Sequence, residues 1–258
     1  MLLTVDIGNT EITAGLFSGT RLLRQWRMTT GPDRTPDEWG AAFGGFLIHS
    51  GHSPNEIKAV CLASVAPGVT RSVVEGLELT TGAQVVSVTP RSKLPLELDV
   101  DEPLSVGADR IVNALAAVER LGRDAVVVDF GTATTFDCVC DGRFIGGAIM
   151  PGLRTSADQL TRQAAKLPAT ELEPPTMVIG RRTEDCIQAG VLFGAADAVD
   201  GMIVRIRAEW PGSCSPKVVA TGGIARTVAP LTQNIESVEP ALTLIGLRIA
   251  ASFLGLVW

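Results

Sequence analysis

The stretch of sequence that decides the fold is Val128-Asp129-Phe130-Gly131-Thr132-Ala133-Thr134-Thr135-Phe136-Asp137. An alignment of the chain with itself, offset by about 123 positions, matches its beginning to Val5-Asp6-Ile7-Gly8-Asn9-Thr10. Further along, Gly19 falls on Gly142 and Leu22 on Phe144. In each copy an apolar run ends in Asp, a polar turn with Gly follows, and an alternating segment leads to a second Gly turn. The sequence therefore predicts a duplicated unit of strand, turn and hairpin.

The two turns have a composition that suits phosphate. Gly8 and Gly131 allow the backbone to approach a ligand closely and to adopt positive φ. Backbone amides and threonine hydroxyls in the turns can donate hydrogen bonds to phosphate oxygens. The hydroxyls belong to Thr10, Thr13, Thr132 and Thr134.

The aspartates of the two turns, Asp6 and Asp129, carry the wrong charge to bind phosphate directly. They fit such a site through a cation, because carboxylate oxygens are hard ligands that hold Mg²⁺ or K⁺. The alternative is a pair of Asp-Gly hairpin turns that bind no ligand. Two copies in register favour the phosphate interpretation.

Composition excludes several classes of protein. The chain has 258 residues, enough for two medium domains, and 46% of them are hydrophobic. Its net charge is −6 without a cluster of Lys or Arg, which argues against a nucleic-acid partner. No signal peptide or uninterrupted apolar stretch of membrane-spanning length is recognisable. The cysteines are odd in number and scattered, as in reduced cytosolic proteins. We therefore expect a soluble, cytoplasmic protein with no nucleic-acid or membrane partner.

The order of predicted elements gives two similar halves, with domains at residues 1–120 and 121–258. Three-stranded meanders are predicted at residues 2–7, 12–17 and 21–27, and again at 134–140 and 143–149 after a first strand at 125–130. The predicted helices begin near Thr35-Pro36, Val69, Val106, Pro151, Ile179 and Leu242, with Thr183 as an N-cap of the fifth. Further strands are predicted at residues 57–64, 84–88 and 217–220. The irregular stretch from Thr89 to Pro103 has the length of a functional loop.

That loop leads to Gly107-Ala108-Asp109-Arg110, the predicted start of the third helix. Asp109 complements the helix dipole in the first turn, but Arg110 opposes it. The pair is consistent with an anion site that has a carboxylate nearby, or with an ordinary helix start.

Absent motifs narrow the class of protein. The chain lacks the P-loop pattern, a Gly-x-Gly-x-x-Gly after a strand, and Gly-x-Ser-x-Gly. Thr221-Gly222-Gly223 after a strand suits either a nucleoside contact or a glycine-rich helix entry. Together with the duplicated turns, these features predict an α/β chain with the duplicated ribonuclease-H-like fold of actin, sugar kinases and Hsp70. In that fold two mixed sheets flanked by helices enclose an ATP cleft.

The ordered set of motifs resembles the type III pantothenate kinase family along nearly the whole chain. These kinases phosphorylate pantothenate at the start of coenzyme A biosynthesis. The resemblance lies in Asp6-Ile7-Gly8-Asn9-Thr10, Gly107-Ala108-Asp109-Arg110-Ile111-Val112-Asn113-Ala114, Val128 to Thr135, Gly146-Gly147 to Pro151-Gly152, Ala165-Lys166-Leu167-Pro168, Ile179 to Thr183, Ala220 to Gly223, and Leu242-Thr243-Leu244-Ile245-Gly246-Leu247-Arg248.

The resemblance implies roles for individual residues. The ATP-binding residues would be Asp6, Ile7, Gly8, Asn9, Thr10, Glu11, Ile12, Thr13 and Thr132. Asp129 would hold K⁺ or NH₄⁺, and Asp6 would face Mg²⁺. Gly107, Ala108, Asp109 and Arg110 would bind pantothenate, with Asp109 as the general base. Thr183 would contact pantothenate from the partner subunit, so that a homodimer shares its active sites.

One position departs from the family pattern. A tyrosine that contacts pantothenate is common a few residues before Gly-Ala-Asp-Arg, whereas this chain has no tyrosine and carries Val100 there. The change removes one polar contact, worth on the order of 1 kcal/mol. Two alternatives remain: a phosphotransferase of the same fold with another small substrate, and a catalytically idle nucleotide-binding paralogue that acts as an accessory regulator of transcription.

Overall fold

The computed structural model describes residues 1–164 and 166–258. The chain forms two compact units. The first comprises Met1–Ala116 and Leu242–Trp258, and the second comprises Ala117–Ala241. The predicted boundary at residues 120 and 121 thus misplaces the C-terminal helix, which packs in the first unit. Its apolar residues are mostly buried, and the helix contacts the strands at Leu2–Ile7, Glu11–Ser18 and Ala59–Ser64 of that unit's sheet.

The first unit is built on a mixed sheet in the order β3-β2-β1-β4-β5. Its strands are β1 (Leu2–Ile7), β2 (Glu11–Ser18), β3 (Arg21–Thr29), β4 (Ala59–Ser64) and β5 (Gln84–Ser87). β1 pairs with β2 antiparallel and with β4 parallel, so both of its edges are hydrogen-bonded. Four successive side chains, Leu2 to Val5, are buried, which shows that both faces of the strand are covered.

Helices of the first unit are α1 (Pro36–His49), α2 (Pro67–Thr81), α3 (Ala108–Leu121, within which the unit boundary falls) and α7 (Leu242–Phe253). Thr35 is the N-cap of α1 and forms a capping box with Glu38, because the side chain of each residue accepts a hydrogen bond from the other's backbone amide. The loop predicted between residues 89 and 103 contains the short strand β6 (Glu97–Leu98) and leads into a 3₁₀ turn at Pro103–Ser105.

In the second unit the strand order is β11-β10-β7-β8-β9. The strands are β7 (Ala125–Phe130), β8 (Ala133–Cys140), β9 (Arg143–Pro151), β10 (Lys217–Thr221) and β11 (Ser237–Val238). The helices are α4 (Leu153–Gln163), α5 (Thr183–Ala208) and the short α6 (Ala225–Val228). β7 pairs parallel with β10 and antiparallel with β8, so this sheet is also mixed.

The two meanders match element by element. β1 and β7 have six residues and the same burial pattern, β2 and β8 have eight residues, and β3 and β9 have nine. The first turn of the second copy is one residue shorter, which changes the alignment after the turn. Gly19 therefore corresponds to Asp141, not to Gly142, and both residues have positive φ.

The structure of α5 differs from the sequence-based expectation in its N-cap and in the length of its apolar stretch. Its first residue is Thr183, and the N-cap is Arg182, so Thr183 is not the cap. By length and composition alone α5 could also cross a membrane, although no apolar stretch of that length was expected. One such helix is weak evidence, since core helices of soluble proteins pass the same test. Here Leu192, Ala196 and Val199 lie in the core of the second unit, and Asp197 and Asp200 interrupt the apolar run.

Ala165, the first residue of the motif Ala165-Lys166-Leu167-Pro168, follows α4 in the sequence and lies outside the described ranges. The described helix ends at Gln163.

Candidate functional site

The first predicted phosphate turn lies between β1 and β2 and is held by backbone bonds. The amide of Gly8 donates to the carbonyl of Glu11 over 3.0 Å, and a Cβ at residue 8 would lie 2.8 Å from that oxygen. Thr30 fixes the turn from β3, because its hydroxyl donates to the Gly8 carbonyl and its amide to the Thr10 carbonyl. Asn9 and Thr10 are exposed at the tip. The turn thus keeps its backbone close-packed while it presents polar groups to solvent.

The second turn has the same construction. The amide of Gly131 donates to the carbonyl of Ala133 over 3.0 Å, and Gly131 and Thr132 are exposed. The start of α4 supports the turn: the Gly152 amide donates to the Thr132 carbonyl over 3.1 Å, and the Thr155 hydroxyl donates to it over 2.8 Å. A Cβ at residue 152 would overlap the Gly131 and Thr132 carbonyls. The motif Pro151-Gly152 therefore has a definite role, which is to let α4 begin directly beneath the turn.

Asp129 lies beside the Thr-Gly-Gly motif, since the register pairs it with Thr221 of β10. Gly222 has φ +93°, and a Cβ there would lie 2.5 Å from Asp129 Oδ1 and 2.6 Å from the Phe130 carbonyl oxygen. Only glycine leaves room for this pair of oxygens. Among the described residues no group of three or more His, Cys, Asp or Glu side chains could hold a metal. The two oxygens thus pack closely against Gly222, and the Asp129 carboxylate is a group of the described chain whose oxygens could hold a hard cation.

Thr134 does not take part in the second turn as the sequence suggested. Its side chain is only 1% exposed, and its hydroxyl is buried without a partner among the described atoms. It lines an apolar cavity of the second unit instead. Position 134 pairs with Phe130 inside the sheet, so its side chain points into the unit and not toward a ligand at the tip.

Asp109 occupies the first turn of α3 and is partly buried. Its Oδ1 accepts a hydrogen bond from the Arg110 amide over 2.8 Å. Loss of solvation by burial raises the pKa of the Asp109 carboxyl above its ordinary value, although the Arg110 amide and the Arg110 charge act in the opposite direction. A partly buried carboxylate with a raised pKa is the electrostatic state expected of a general base.

The first phosphate turn and the Asp109 segment are neighbours through Val65, which follows β4. The Val65 amide donates to the Ile7 carbonyl over 3.0 Å. On the other side, a Cβ at Gly107 would lie 3.5 Å from Val65 Cγ1 and 2.5 Å from Asp109 Oδ1. Val65 therefore joins the end of β1, where the turn begins, to the start of α3. Sequence reasoning missed Val65, because nothing in its local sequence distinguishes it from a core valine.

The remaining predicted substrate residues lie in different places. Val100 is partly buried in a bend after β6, and Arg110 is partly buried on α3. Thr183 is exposed at the start of α5 in the second unit. It lies at a cavity of about 620 Å³ formed by α4, α5 and the ends of β8 and β9, which Thr134, Met150, Leu160 and Ile187 also line.

Several apolar side chains of α5 pack in the core of its own unit. Leu192 and Val199 belong to that core, and Val191 and Ala195 pack against it. Gly190, Gly194 and Gly201 lie elsewhere on α5, and a Cβ at each would meet only open space. Val191, Ala195 and Val199 also line the cavity beside Thr183, together with Gly190 and Gly194. Part of this side of α5 is therefore open.

Comparison with protein families matches residues 2–205 to the model of the type III pantothenate kinases. Among curated relatives, the type III pantothenate kinase of Moorella thermoacetica is 43% identical over 96% of this chain and 98% of the relative. That of Geobacter sulfurreducens is 43% identical over 96% and 97%.

Comparison with solved structures identifies the fold. Component A of (R)-2-hydroxyglutaryl-CoA dehydratase from Acidaminococcus fermentans covers 97% of this chain and 95% of its own, with a TM-score of 0.57 at 16% identity. The activator of 2-hydroxyisocaproyl-CoA dehydratase from Clostridium difficile with bound ADPNP gives a TM-score of 0.57 at 16% identity, over 98% and 93%. The duplicated meanders and the two mixed sheets are those of the actin, sugar-kinase and Hsp70 fold, as the sequence predicted.

Proposed function

The chain belongs to the type III pantothenate kinase family, and we propose that it transfers the γ-phosphoryl group of ATP to the primary hydroxyl of pantothenate with Asp109 as the general base. The product is 4'-phosphopantothenate, and the reaction is the first step of coenzyme A biosynthesis. The observation that carries the assignment of the base is the placement of Asp109. It is a partly buried carboxylate with a raised pKa, joined through Gly107 and Val65 to the end of the strand that carries the first phosphate turn.

Asp109 accepts the proton of the pantothenate hydroxyl as the oxygen forms its bond to the γ-phosphorus and the bond to ADP breaks. The hydrogen bond from the Arg110 amide occupies Oδ1. We assign the proton to Oδ2, the oxygen that does not accept this bond. Phosphoryl transfer asks little covalent chemistry of the protein, so the main contribution of Asp109 is to hold the hydroxyl in line and to take its proton.

Arg110 is assigned to the carboxylate of pantothenate, because a guanidinium can bind a carboxylate through two parallel hydrogen bonds. This contact would fix the far end of the substrate while Asp109 holds the hydroxyl. Val100 replaces a polar contact that is common in the family, and we expect a weaker affinity for pantothenate but an intact chemical step.

The two turns are assigned to ATP and its cations. Asp6, Ile7, Gly8, Asn9, Thr10, Glu11, Ile12 and Thr13 form the first turn and its flanks, and Thr132 belongs to the second. Asp6 is assigned to Mg²⁺, and Asp129 with the Phe130 carbonyl to K⁺ or NH₄⁺. When bound, these cations neutralise charge on the phosphates. Exposed amides in both turns can donate to phosphate oxygens as the charge on them changes.

We assign the active form to a homodimer in the cytoplasm. Met177, Val178 and Ile179 are consecutive and 64%, 69% and 80% exposed, which is unusual for large apolar side chains on a free surface. They precede Thr183, the residue assigned to the partner's pantothenate, and the apolar cavity lies beside it. A second copy that covers this region would bury the exposed apolar side chains and bring Thr183 to its neighbour's substrate.

The decisive experiment measures ADP release by the purified chain with ATP, Mg²⁺ and K⁺, with and without pantothenate. A panel of other small alcohols, sugars and acetate serves as the control for substrate class. We expect release that depends on pantothenate alone among the panel. Release driven by another member would assign the chain to a different phosphotransferase activity, and nucleotide binding without release would identify an idle paralogue.

A further inference from the structure

The motifs Asn113-Ala114 and Leu242 to Arg248 have no role in the chemistry described above, yet the structure brings them together. Thr243 Oγ1 donates a hydrogen bond to Asn113 Oδ1 over 2.8 Å, although the two residues are 130 positions apart in the chain. Asn113 is 1% exposed. The contact joins α7 to α3, the helix that carries Asp109.

A second contact lies one turn further along α7. Gly246 is buried, and a Cβ there would overlap the carbonyl oxygen of Val112 and lie 3.0 Å from Val112 Cβ. Glycine is disfavoured in a helix interior relative to alanine. Its presence at the crossing therefore reflects the close approach of the two backbones.

The face of α3 that α7 contacts is the face that carries the base. Asp109 and Asn113 are four residues apart, and Val112 is three residues from Asp109, so all three lie on adjoining parts of one side of α3. A displacement of α3 at Val112 or Asn113 is passed to Asp109 along little more than one turn of rigid helix.

α7 is itself held by the sheet. Leu244 is buried against β2, where a Cβ at Gly15 would lie 2.9 Å from Leu244 Cδ1. Leu242, Leu247 and Ala250 are also buried. The helix is therefore a rigid support between the sheet that carries the first phosphate turn and the helix that carries Asp109.

We propose that Thr243 and Gly246 are positioning residues, through which the C-terminal helix sets the place of Asp109 relative to the reacting hydroxyl. The proposal rests on the assignment of Asp109 as the base. Neither residue is assigned to the substrate. Their effect is indirect, through the position of α3.

The test is a double-mutant cycle on the full chain between Gly246→Ala and Asp109→Asn, with kcat and KM for pantothenate measured well below the unfolding temperature. In the wild-type background Gly246→Ala should lower kcat by roughly 10–100-fold, the scale of a displacement of about 1 Å in a catalytic group, with a smaller change in KM. In the Asp109→Asn background the same change should add almost nothing, because the group that it displaces no longer acts. The matched control is Gly45→Ala on α1, where a Cβ would meet open space and kcat should not change.

The possible outcomes distinguish the assignment of Asp109 as the base from the positioning role of Thr243 and Gly246. Near-normal turnover in Asp109→Asn alone would remove the base assignment. A large loss in Asp109→Asn, with Gly246→Ala lowering kcat by the same factor in both backgrounds, would overturn the positioning role and leave the base assignment in place.

If Gly246→Ala does not fold, Thr243→Val carries the test, since it removes the hydroxyl and keeps the shape. Thr243→Val should lower kcat several-fold only when Asp109 is present, and Thr243→Ser should restore it. An unchanged kcat in folded Thr243→Val, or no rescue by Thr243→Ser, would contradict the proposal.

Discussion

At the scale of single residues, the proposed phosphoryl transfer depends on the burial and packing of two aspartates, Asp109 and Asp129. Asp109 loses solvation at the start of α3, and this raises its pKa. Asp129 is instead enclosed by Gly222, whose missing side chain leaves room for its carboxylate. Both aspartates were identifiable from the sequence, but the burial of Asp109 and the proximity of Gly222 to Asp129 were not.

Asp109→Asn should lower turnover by roughly 10²–10⁴-fold, the usual contribution of a positioned general base, with a smaller effect on pantothenate binding. The change keeps the shape of the side chain and removes the charge that accepts the proton. Steady-state kinetics and direct pantothenate titration together check it. If turnover stays near normal, the base is another residue, with Asp6 or Asp129 as the next candidates.

The pH dependence of Asp109 has a definite sign. Because its folded-state pKa is raised, protonation should remove the base at a pH above the ordinary carboxyl range, and kcat/KM should fall as pH decreases through the raised value.

The contribution of the Asp109 carboxyl to the free energy of unfolding depends on pH in the opposite direction. It is fully present below the unfolded-state pKa and is lost as pH rises through the folded-state pKa. The free energy of unfolding of Asp109→Asn minus that of wild type, measured by denaturant unfolding, should therefore increase as the pH rises through the folded-state pKa. A flat difference from pH 4 to 7 would contradict this assignment.

Asp129 should make the activity dependent on a monovalent cation. Rates in buffers with only Na⁺ or Tris should be low and should recover with K⁺, because the proposed role of Asp129 is to hold K⁺ or NH₄⁺ beside the phosphates. Asp129→Ala should lose both the activity and the response to K⁺. Equal rates in Na⁺ and K⁺ would show that Asp129 serves the turn or Mg²⁺ instead.

At the scale of elements, the crossing of α1 and α2 shows how glycine sets the distance between helices. A Cβ at Gly76 would lie 2.5 Å from the Pro36 carbonyl oxygen and 2.9 Å from the Gly40 amide nitrogen. A Cβ at Gly40 would in turn meet Thr80 Oγ1 at 2.5 Å. The two glycines allow the helices to pack backbone to backbone over Trp39, which is fully buried.

Gly76→Ala should lower the free energy of unfolding by about 1–3 kcal/mol, the usual cost of overpacking a close contact. Gly45→Ala on α1 is the matched control and should be neutral or stabilising by up to about 1 kcal/mol, since alanine favours helix and its Cβ meets open space. Denaturant unfolding at pH 7 measures both. Equal effects of the two substitutions would mean that the crossing is looser than these distances imply.

At the scale of the whole molecule, catalysis is assigned to a homodimer that shares its sites. Mixing two inactive variants, Asp109→Asn and Thr183→Arg, should restore activity, because one site in each mixed dimer regains an intact Asp109 and an intact Thr183. Random exchange makes about half of the dimers mixed, so roughly a quarter of all sites should recover.

The control for this experiment mixes Asp109→Asn with the double variant that carries both substitutions, a mixture in which no site contains an intact Asp109. It should stay inactive. No recovery in the first mixture, after subunit exchange has been verified by native mass spectrometry, would place both residues in one subunit's site.

The sequence by itself determined the duplicated meanders, the two turns and the start of α3 at Gly107-Ala108-Asp109-Arg110. These features are local: alternation of apolar residues specifies strands, and glycine between polar residues specifies a turn, wherever the segment lies in the molecule. The duplicated turns together with Thr221-Gly222-Gly223 also predicted the fold class.

Only the tertiary structure decided which segments meet. It placed the C-terminal helix in the first unit and the Thr134 side chain at the wall of a cavity. It also packed Leu192 and Val199 of α5 into the core of the second unit and paired Thr243 with Asn113. The physical reason is common to all four. The sequence of an apolar helix face indicates that the face must be buried, but it does not indicate which segment buries it. The packing partner is decided by contacts between residues far apart in the chain.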